Sequence, residues 1–198
     1  DAAEAVLAVK SVLVDLNDAS ATLPNSYNSV ENITPLETPL SSTINGAALA
    51  TPVFLSLYVE NDLRLDKYFA ETDEKGFRKN KKAGSNNYLC TFRVGEIYLT
   101  AAEAAARLGE LSQARTRLLE LMRKRYAPEA YEAKSVVVNA MDKEALVQEI
   151  LDERARELAF EGHRWFDLRR STRPRLEKVL DGTRYVLEEN DARYTLAI

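Results

Sequence analysis

The alanine-rich helical pattern in the middle of the chain constrains the fold most. Within the segment from Arg93 to Leu108, alanine occupies positions 101, 102, 104, 105 and 106, and Gly109 follows. The pattern predicts a helix that ends at Gly109, because glycine adopts the left-handed conformation of a helix end at little cost. Ser112 is expected to cap a second helix that runs to about Arg125. Small residues let two helices approach closely, so the segment predicts a tightly packed helical hairpin.

The spacing within this hairpin is typical of a helical repeat. Gly109, an apolar residue at 111, and then Ala114, Leu118 and Leu121 match the second half of a tetratricopeptide unit. One such unit is not stable alone, so other helices must flank it. Amphipathic patterns predict these over residues 2–17 and 143–161, the latter with Asp142 as N-cap and Gly162 as its stop. The predicted fold class is mostly α, with tetratricopeptide-like helical hairpins and long loop-rich insertions.

Three regions of different composition divide the chain. Residues 18–92 are predicted to be loop-rich, because 18–52 hold many Asn, Ser, Thr and Pro residues. Within that region, 53–70 is apolar, Asp62 and Arg64 suggest a local charge pair, and 88–92 has the composition of a strand. Residues 93–170 are predicted to be helical, and 171–198 to be an irregular tail with a turn at Gly182.

Charge and cysteine content exclude several classes of protein. The chain has 27 Lys and Arg against 31 Asp and Glu, for a net charge of −4 and a pI near 5.3. A nucleic-acid binder normally has a basic face and a high pI, so we expect no nucleic-acid partner. The one cysteine, Cys90, can form neither an internal disulfide nor a cysteine-based zinc site, and we expect a small buried hydrophobe there.

The densest charged segment runs from residue 153 to residue 170. Glu153, Glu157 and Glu161 are four residues apart, so they share one helix face, where unpaired carboxylates would repel one another. They need cations, and the nearby candidates in sequence are Arg156, Arg164, Arg169 and Arg170. Two interpretations follow: a catalytic or metal-binding carboxylate cluster, or a partly buried network of arginines and carboxylates.

The structural interpretation is the stronger one. A helical di-metal site also needs Glu-x-x-His pairs, and the only histidine, His163, lies outside that spacing. A glycosidase needs two carboxylates across an open cleft, which one helix face does not provide. Nucleophile-elbow, Walker, dinucleotide-binding and His-Glu-x-x-His patterns are absent from the sequence as well. We therefore predict no catalytic site, no metal and no cofactor, and a structural ion network of Glu153, Arg156, Glu157, Glu161, Arg164, Asp167 and Arg169.

Two long segments share order and spacing with the motifs of a known family. Residues 93–104 resemble Arg-x-x-Glu-Ile-Tyr-Leu-x-x-Ala-Glu-Ala, and residues 153–170 resemble Glu-Arg-x-x-Glu-Leu-x-x-Glu-Gly-x-Arg-x-x-Asp-Leu-x-Arg. Upstream, Asp62-Leu63-Arg64 precedes an aromatic pair, Tyr68-Phe69, as in a third motif. These motifs belong to SusD/RagB proteins. By this resemblance, residues 1–198 are the C-terminal portion of a SusD-like domain.

The resemblance implies a binding protein that is not an enzyme. SusD/RagB proteins are cell-surface lipoproteins of Gram-negative bacteria that bind a glycan or another nutrient. They cover a TonB-dependent, SusC-like transporter in the outer membrane, which implies an oligo- or polysaccharide ligand and that transporter as partners. They are anchored through an acylated N-terminal cysteine, so contact with the membrane is expected only through a lipid anchor that this chain lacks. Cys90 cannot replace that cysteine.

The sequence predicts the ligand-binding surface only by residue type. Sugar rings stack on aromatic faces while neighbouring polar groups bind the hydroxyls. The 18–52 segment offers Tyr27 with Asn25, Asn28 and Asn32, whereas Tyr58 and Tyr88 are expected in the core. Two alternatives stay open: a helical-repeat scaffold that binds a protein or peptide with no sugar role, and a hydrolase that uses paired carboxylates.

Overall fold

A computed structural model describes residues 2–38, 49–82, 88–180 and 182–195 of the chain. Its contacts divide the chain into two compact units, Asp1–Glu161 and Gly162–Ile198. The side chains of Tyr88 and Cys90 lie outside the described part, so the expectations for these two residues concern side chains that are not described.

The described helices and strands agree with a mostly α fold. The helices are α1 (Ala2–Val9), α2 (Pro52–Leu55), α3 (Arg64–Tyr68), α4 (Val94–Leu108), α5 (Leu111–Met122), α6 (Pro128–Ala140), α7 (Lys143–Glu157) and α8 (Arg164–Arg170). The strands are β1 (Asn32–Thr38), β2 (Leu49–Ala50), β3 (Phe69–Thr72), β4 (Arg78–Asn80), β5 (Tyr88–Arg93), β6 (Leu176–Leu180) and β7 (Thr183–Leu187). The predicted fold class is confirmed.

The helical hairpin predicted from the alanine-rich segment is confirmed as α4 and α5. Gly109 ends α4 in the left-handed conformation, with φ 86°. The alanines at 101, 102, 105 and 106 are buried against Ala114, Leu118, Leu121 and Met122, in the larger of two apolar clusters. The predicted cap was wrong, because Ser112 lies inside α5 and Glu110 holds the N-cap position without a side-chain hydrogen bond.

The first helix is shorter than predicted. It ends at Val9 instead of continuing to residue 17, although the apolar spacing continues. The backbone after it is held by distant groups: the Ser11 carbonyl accepts from the Tyr98 hydroxyl, and the Leu16 N–H donates to the Lys124 carbonyl. These tertiary hydrogen bonds replace the ones that a helix would have made, and a local pattern cannot reveal them.

Helix α6 lies within the region 93–170 that was predicted to be helical, but the sequence did not predict it as a separate helix. Pro128 occupies its first turn, where a missing N–H is tolerated, and Glu129 follows near the positive end of the helix dipole. Its C-terminal half contains Val136, Val137 and Val138, and such β-branched residues favour strands when they occur in sequence. Only Val138 among the residues of α6 is fully buried, so α6 lies at the edge of the helical cluster.

Helix α7 begins as predicted and ends early. The Asp142 side chain accepts from the Ala145 N–H at 2.9 Å, so the predicted N-cap is confirmed. The helix stops at Glu157 instead of Glu161. Lys82 Nζ donates to the Glu157 and Ala159 carbonyls at 3.0 and 3.1 Å, which satisfies carbonyls that the helix end leaves unpaired.

The strand pair β1–β5 brings the loop-rich region to the helices. The two strands are antiparallel, with Asn32 opposite Arg93, and the Val94 N–H donates to the Glu31 carbonyl at 2.9 Å. Glu31 and Arg93 therefore meet at the point where β5 ends and α4 begins. The strand predicted over 88–92 is confirmed as β5.

A second apolar cluster, rich in aromatic residues, lies beside the sheet β2-β4-β3. Phe54, Tyr58, Phe69 and Phe160 pack edge to face, with centroid distances of 5.5–6.4 Å. Tyr58 is buried as predicted, and its hydroxyl donates to the Arg156 carbonyl at 2.8 Å.

The second unit, Gly162–Ile198, is more regular than the predicted irregular tail. It contains α8 and the antiparallel hairpin β6–β7. Gly182, with φ 77°, lies at the turn of this hairpin, which confirms the predicted turn. Trp165 stacks on Tyr194 with a centroid distance of 5.1 Å, and the Tyr194 hydroxyl donates to the Pro174 carbonyl.

Candidate functional site

Glu153 and Glu157 of α7, with Glu161 just beyond its end, lie at the centre of a buried ionic network within the first unit. Its side chains are at most 4% exposed, and they come from both ends of that unit. The cations are Lys82, Arg64, Arg93, Arg125 and Arg156, and the carboxylates are Glu31, Asp62, Glu153, Glu157 and Glu161. Equal numbers of the two signs leave this buried set without net formal charge.

Glu157 binds three arginines at once. Its Oε1 accepts from Arg93 Nη1 at 2.6 Å and from Arg125 Nη2 at 3.0 Å. Its Oε2 accepts from Arg125 Nε at 2.9 Å and from Arg64 Nη1 at 3.2 Å. Four charge-assisted hydrogen bonds occupy the acceptor positions of the carboxylate, which leaves it no lone pair directed toward a substrate.

The carboxylates of Glu153 and Glu161 are also fully engaged. Glu153 accepts from Arg64, from Arg156 Nε at 2.8 Å and from the Tyr126 hydroxyl at 3.0 Å. Glu161 accepts from Arg93 Nε and Nη2, each at 2.9 Å, and from Lys82 Nζ. Both carboxylates are thus held in fixed positions by donors from other segments of the chain.

Glu31 ties the N-terminal segment to this centre. It accepts from the Val14 N–H at 2.9 Å, from Arg125 Nη2 at 2.5 Å and from Arg93 Nη1 at 3.0 Å. Arg125 in turn donates to the Val14 carbonyl at 2.6 Å. These bonds account for the non-helical backbone around Val14, which the sequence pattern had predicted to be helical.

The electrostatics of the network keep the carboxylates of Glu153, Glu157 and Glu161 charged. Burial raises the pKa of the Glu153 carboxyl, but Arg64 and Arg156 outweigh it, and the pKa falls to about 2. By the same balance the pKa values of Glu157 and Glu161 lie below the usual range for glutamate. Burial dominates at Lys82 instead and lowers the pKa of its ammonium to about 8. A general acid would need a raised carboxyl pKa, so the network does not suit acid–base catalysis.

The sequence predicted the network glutamates Glu153, Glu157 and Glu161 but not most of their partners. The cations that bind Glu157 and Glu161 are Arg64, Arg93, Arg125 and Lys82, not the arginines that follow in sequence. The resemblance had included Arg64 and Arg93 in its motifs, whereas nothing pointed to Arg125, Lys82 or Glu31.

Three predicted members of the network lie in the second unit. Asp167 is buried there and pairs with Arg170 at 2.6 Å, while Arg164 is exposed. The Arg169 carbonyl accepts from Arg173 Nε at 3.0 Å. Their membership of the ion network stays a prediction.

The predicted ligand-binding residues divide into two kinds. Asn25 and Asn32 are 2% and 7% exposed, and their amide nitrogens donate to main-chain carbonyls of Lys82 and of Ser26 and Tyr27. Both side chains are thus buried in the structure, and their expected role at a ligand surface stays a prediction. Tyr27, half exposed, and Asn28, also exposed, remain open to a ligand.

A large cavity lies elsewhere in the first unit. Its volume is ≈ 810 Å³, and it is lined by residues 11–17, by α5 and by the start of α6. The side chains that line it include Tyr98, Tyr131, Arg123, Lys124 and Glu132. A volume of this size is within the range of small-molecule sites. The sequence did not predict this cavity, because its lining comes from segments that are far apart in the chain.

Two further observations bound the chemistry of the chain. Within the described ranges, no three His, Cys, Asp or Glu residues are arranged to hold a metal ion. None of the helices described in the structure combines the length and the apolar character that a membrane crossing requires.

The sequence matches one family model. Residues 54–194 match the model of the SusD family, a stretch that contains all the network residues except Glu31. Among curated proteins, none matches the chain in sequence.

Solved structures give a corresponding picture of the fold. A SusD superfamily protein from Bacteroides fragilis superposes with a TM-score of 0.71 at 23% identity, over 98% of this chain and 47% of its own. A SusD-like carbohydrate binding protein from Bacteroides vulgatus ATCC 8482 superposes with a TM-score of 0.60 at 18% sequence identity. The superposition covers 94% of this chain and 46% of that protein. The chain thus spans a little under half the length of these two proteins.

Proposed function

The chain belongs to the SusD family, and from this premise we propose that the protein captures a glycan or another nutrient at the cell surface. SusD-family proteins are non-catalytic binding proteins. The observation that carries the proposal is the family match over residues 54–194, within which the ionizable cluster is buried and internally paired. The hydrolase alternative lacks support, because the carboxylates it would use are closed to solvent.

The proposal extends to a transporter and a location. Like other members of its family, the protein would pass its ligand to a TonB-dependent, SusC-like transporter in the outer membrane. It would be held at the cell surface by a lipid anchor. The similarity to a SusD-like carbohydrate binding protein supports a glycan as the ligand class.

Tyr27 and Asn28 remain proposed ligand contacts. The Tyr27 ring is 50% exposed and could stack on a sugar ring, with the exposed Asn28 amide beside it in sequence. A Tyr27→Ala variant that binds the glycan as tightly as the parent would remove Tyr27 from the site.

The function is tested by binding of the full-length protein to a panel of polysaccharides, first by retardation in native gels and then by calorimetry. Retardation by one glycan class, with no sugar product released, is the expected result. Release of products would reinstate a hydrolase. Failure of the folded protein to bind any member of the panel would contradict glycan capture.

One observation favours a protein partner as the second candidate function. Helix α6 exposes Val136 and Val137 by 70% and 53%, beside a helical hairpin of the repeat type. Helical repeats often bind other chains through such faces. If no glycan binds, a protein or peptide ligand becomes the preferred hypothesis.

A further inference from the structure

The cavity beside α5 and α6 has its own set of binding groups. One wall consists of Ser11, Val12, Leu13, Asp15 and Asn17, and another of Glu120, Arg123 and Lys124 at the end of α5. Pro128, Tyr131 and Glu132 close it at the start of α6. It lies apart in sequence from Tyr27 and Asn28, and nothing in the proposed function has used it.

Several groups in this cavity are not engaged by the protein. The guanidinium of Arg123 and the carboxylate of Glu132 are exposed, and neither makes an ion pair with the residues that the structure describes. The Tyr131 ring is half-buried against the apolar cluster. By contrast, Lys124 pairs with Asp15 at 2.8 Å, and the Tyr98 hydroxyl donates to the Ser11 carbonyl.

The lining carries a slight negative charge. Asp15, Glu120 and Glu132 face Arg123 and Lys124. Arg117, just outside the lining, is shared between Glu120 at 2.8 Å and Glu4 at 2.5 Å, so it adds no surplus positive charge. The excess of one carboxylate repels a polyanion. The cavity therefore suits a neutral glycan better than an acidic one.

The unpaired side chains of the cavity are suited to bind the hydroxyl groups of a ligand. A guanidinium offers only donors and a carboxylate only acceptors, whereas a hydroxyl both donates and accepts. A ligand with several hydroxyls can satisfy Arg123 and Glu132 together, and the apolar face of a sugar ring can lie on Tyr131. A volume of ≈ 810 Å³ has room for such a unit.

We infer that this cavity binds a short stretch of a neutral oligosaccharide, with Tyr131 as the stacking platform and Arg123 and Glu132 as the hydroxyl-binding groups. The inference rests on the proposed glycan-binding function and gives it a site and a ligand class. It places that site against the helical hairpin, in addition to the surface around Tyr27.

Four single substitutions test the site in the full-length protein. Arg123→Ala removes an exposed donor, and Glu132→Gln keeps the shape of the side chain while removing its charge. Tyr131→Phe and Tyr131→Ala separate the hydroxyl from the ring, and the Phe variant preserves packing if the Ala variant fails to fold. Tyr185→Ala is the matched control, because Tyr185 is 56% exposed in the second unit and far from the lining in sequence.

The probes are three neutral polysaccharides, starch, xylan and laminarin, and two acidic ones, polygalacturonate and chondroitin sulfate. Binding is measured by gel retardation and calorimetry. A neutral glycan should bind the parent, and Arg123→Ala and Tyr131→Ala should each weaken it about ten-fold, the effect of losing one good contact. Tyr185→Ala should bind like the parent.

The other outcomes distinguish a failure of the proposed cavity site from a failure of the proposed glycan-binding function. If a glycan binds and every cavity variant binds it equally well, the inference is overturned and glycan capture stands. Binding of acidic glycans alone would likewise overturn the neutral-ligand assignment while leaving the function. Failure of the folded parent to bind any probe would overturn both.

Discussion

Glu157 accepts hydrogen bonds from three different arginines while fully buried, and this geometry determines what a substitution there does. A Glu157→Gln variant keeps the volume but removes the charge, and its new NH₂ group faces donors. We expect the free energy of unfolding to fall by about 3–5 kcal/mol, because buried arginines would lose their counter-charge. The measurement is urea unfolding followed by circular dichroism.

Glu144 supplies the control for that substitution. It lies in the first turn of the same helix and is exposed. A Glu144→Gln change should alter stability by no more than about 0.5 kcal/mol. Equal effects at the two positions would contradict the structural importance of the network.

Gly95 lies so close to the network that it has no room for a side chain. A Cβ built there would come within 2.5 Å of Arg93 Nη1 and 3.1 Å of carboxylate oxygens of Glu157 and Glu31. Arg93 is buried and bound on several sides, so it cannot turn away without breaking ion pairs. Gly95→Ala should therefore destabilise by about 1–3 kcal/mol, although alanine normally stabilises a helix interior relative to glycine.

The test at Gly95 is whether Gly95→Ala lowers or raises the stability, which is measured as a shift in the urea midpoint. Ser112→Ala is the matched control, because Ser112 is also the second residue of its helix and is exposed. It should leave the midpoint nearly unchanged. A Gly95→Ala protein more stable than the parent would mean that the network can rearrange around a methyl group.

At the scale of single elements, the start of α7 depends on its N-cap. The Asp142 carboxylate accepts from the Ala145 N–H at 2.9 Å. Asp142→Ala should lower stability by about 1 kcal/mol, because a helix-end donor loses its partner. Glu110→Ala serves as the comparison, since Glu110 holds the same position on α5 without a side-chain hydrogen bond. The prediction fails if thermal or urea unfolding shows the same loss for both variants.

The sequence predicted those elements whose ends are marked by local chemistry. Gly109 and Asp142 each act on their own helix end, so α4 and the start of α7 were predictable. The end of α1 and the end of α7 were not, because distant groups determine them: Tyr98 and Lys124 hold the chain after Val9, and Lys82 binds the last carbonyls of α7. No spacing within the segment records such partners.

The same distinction applies to the candidate sites. The repulsion among Glu153, Glu157 and Glu161 follows from their spacing, so the need for cations could be predicted. Arg125 and Glu31 could not be chosen in advance, because they meet through the pairing of β1 with β5 and the path of the N-terminal segment. Asn25 and Asn32 have the composition of a polar loop, yet main-chain carbonyls bind their amides.

The whole first unit should lose stability in acid. In the folded chain the pKa of Glu153 is about 2, and the pKa values of Glu157 and Glu161 are also lowered, against an ordinary value of 4.5. The unfolded chain therefore binds more protons below about pH 4.5, so the free energy of unfolding falls as the pH falls toward the folded values. The urea midpoint should drop clearly between pH 6 and pH 3.

The Glu157→Gln variant tests whether this pH dependence comes from the buried network. The variant lacks one of the carboxylates concerned, so its midpoint should fall less steeply over the same interval. An equal fall in both proteins would assign the acid sensitivity to other carboxylates. A parent midpoint that stays constant from pH 6 to pH 3 would contradict the lowered pKa values.

The sharing of Glu157 among three arginines also limits how such a chain can change over generations. An isolated ion pair can exchange its two signs through two mutations. Here a reversal at Glu157 would place a positive charge against Arg64, Arg93 and Arg125 together, and each of these also serves another carboxylate. Single mutational steps away from the set therefore pass through strongly destabilised intermediates. We therefore expect these charged residues to be retained together in related chains that keep the fold.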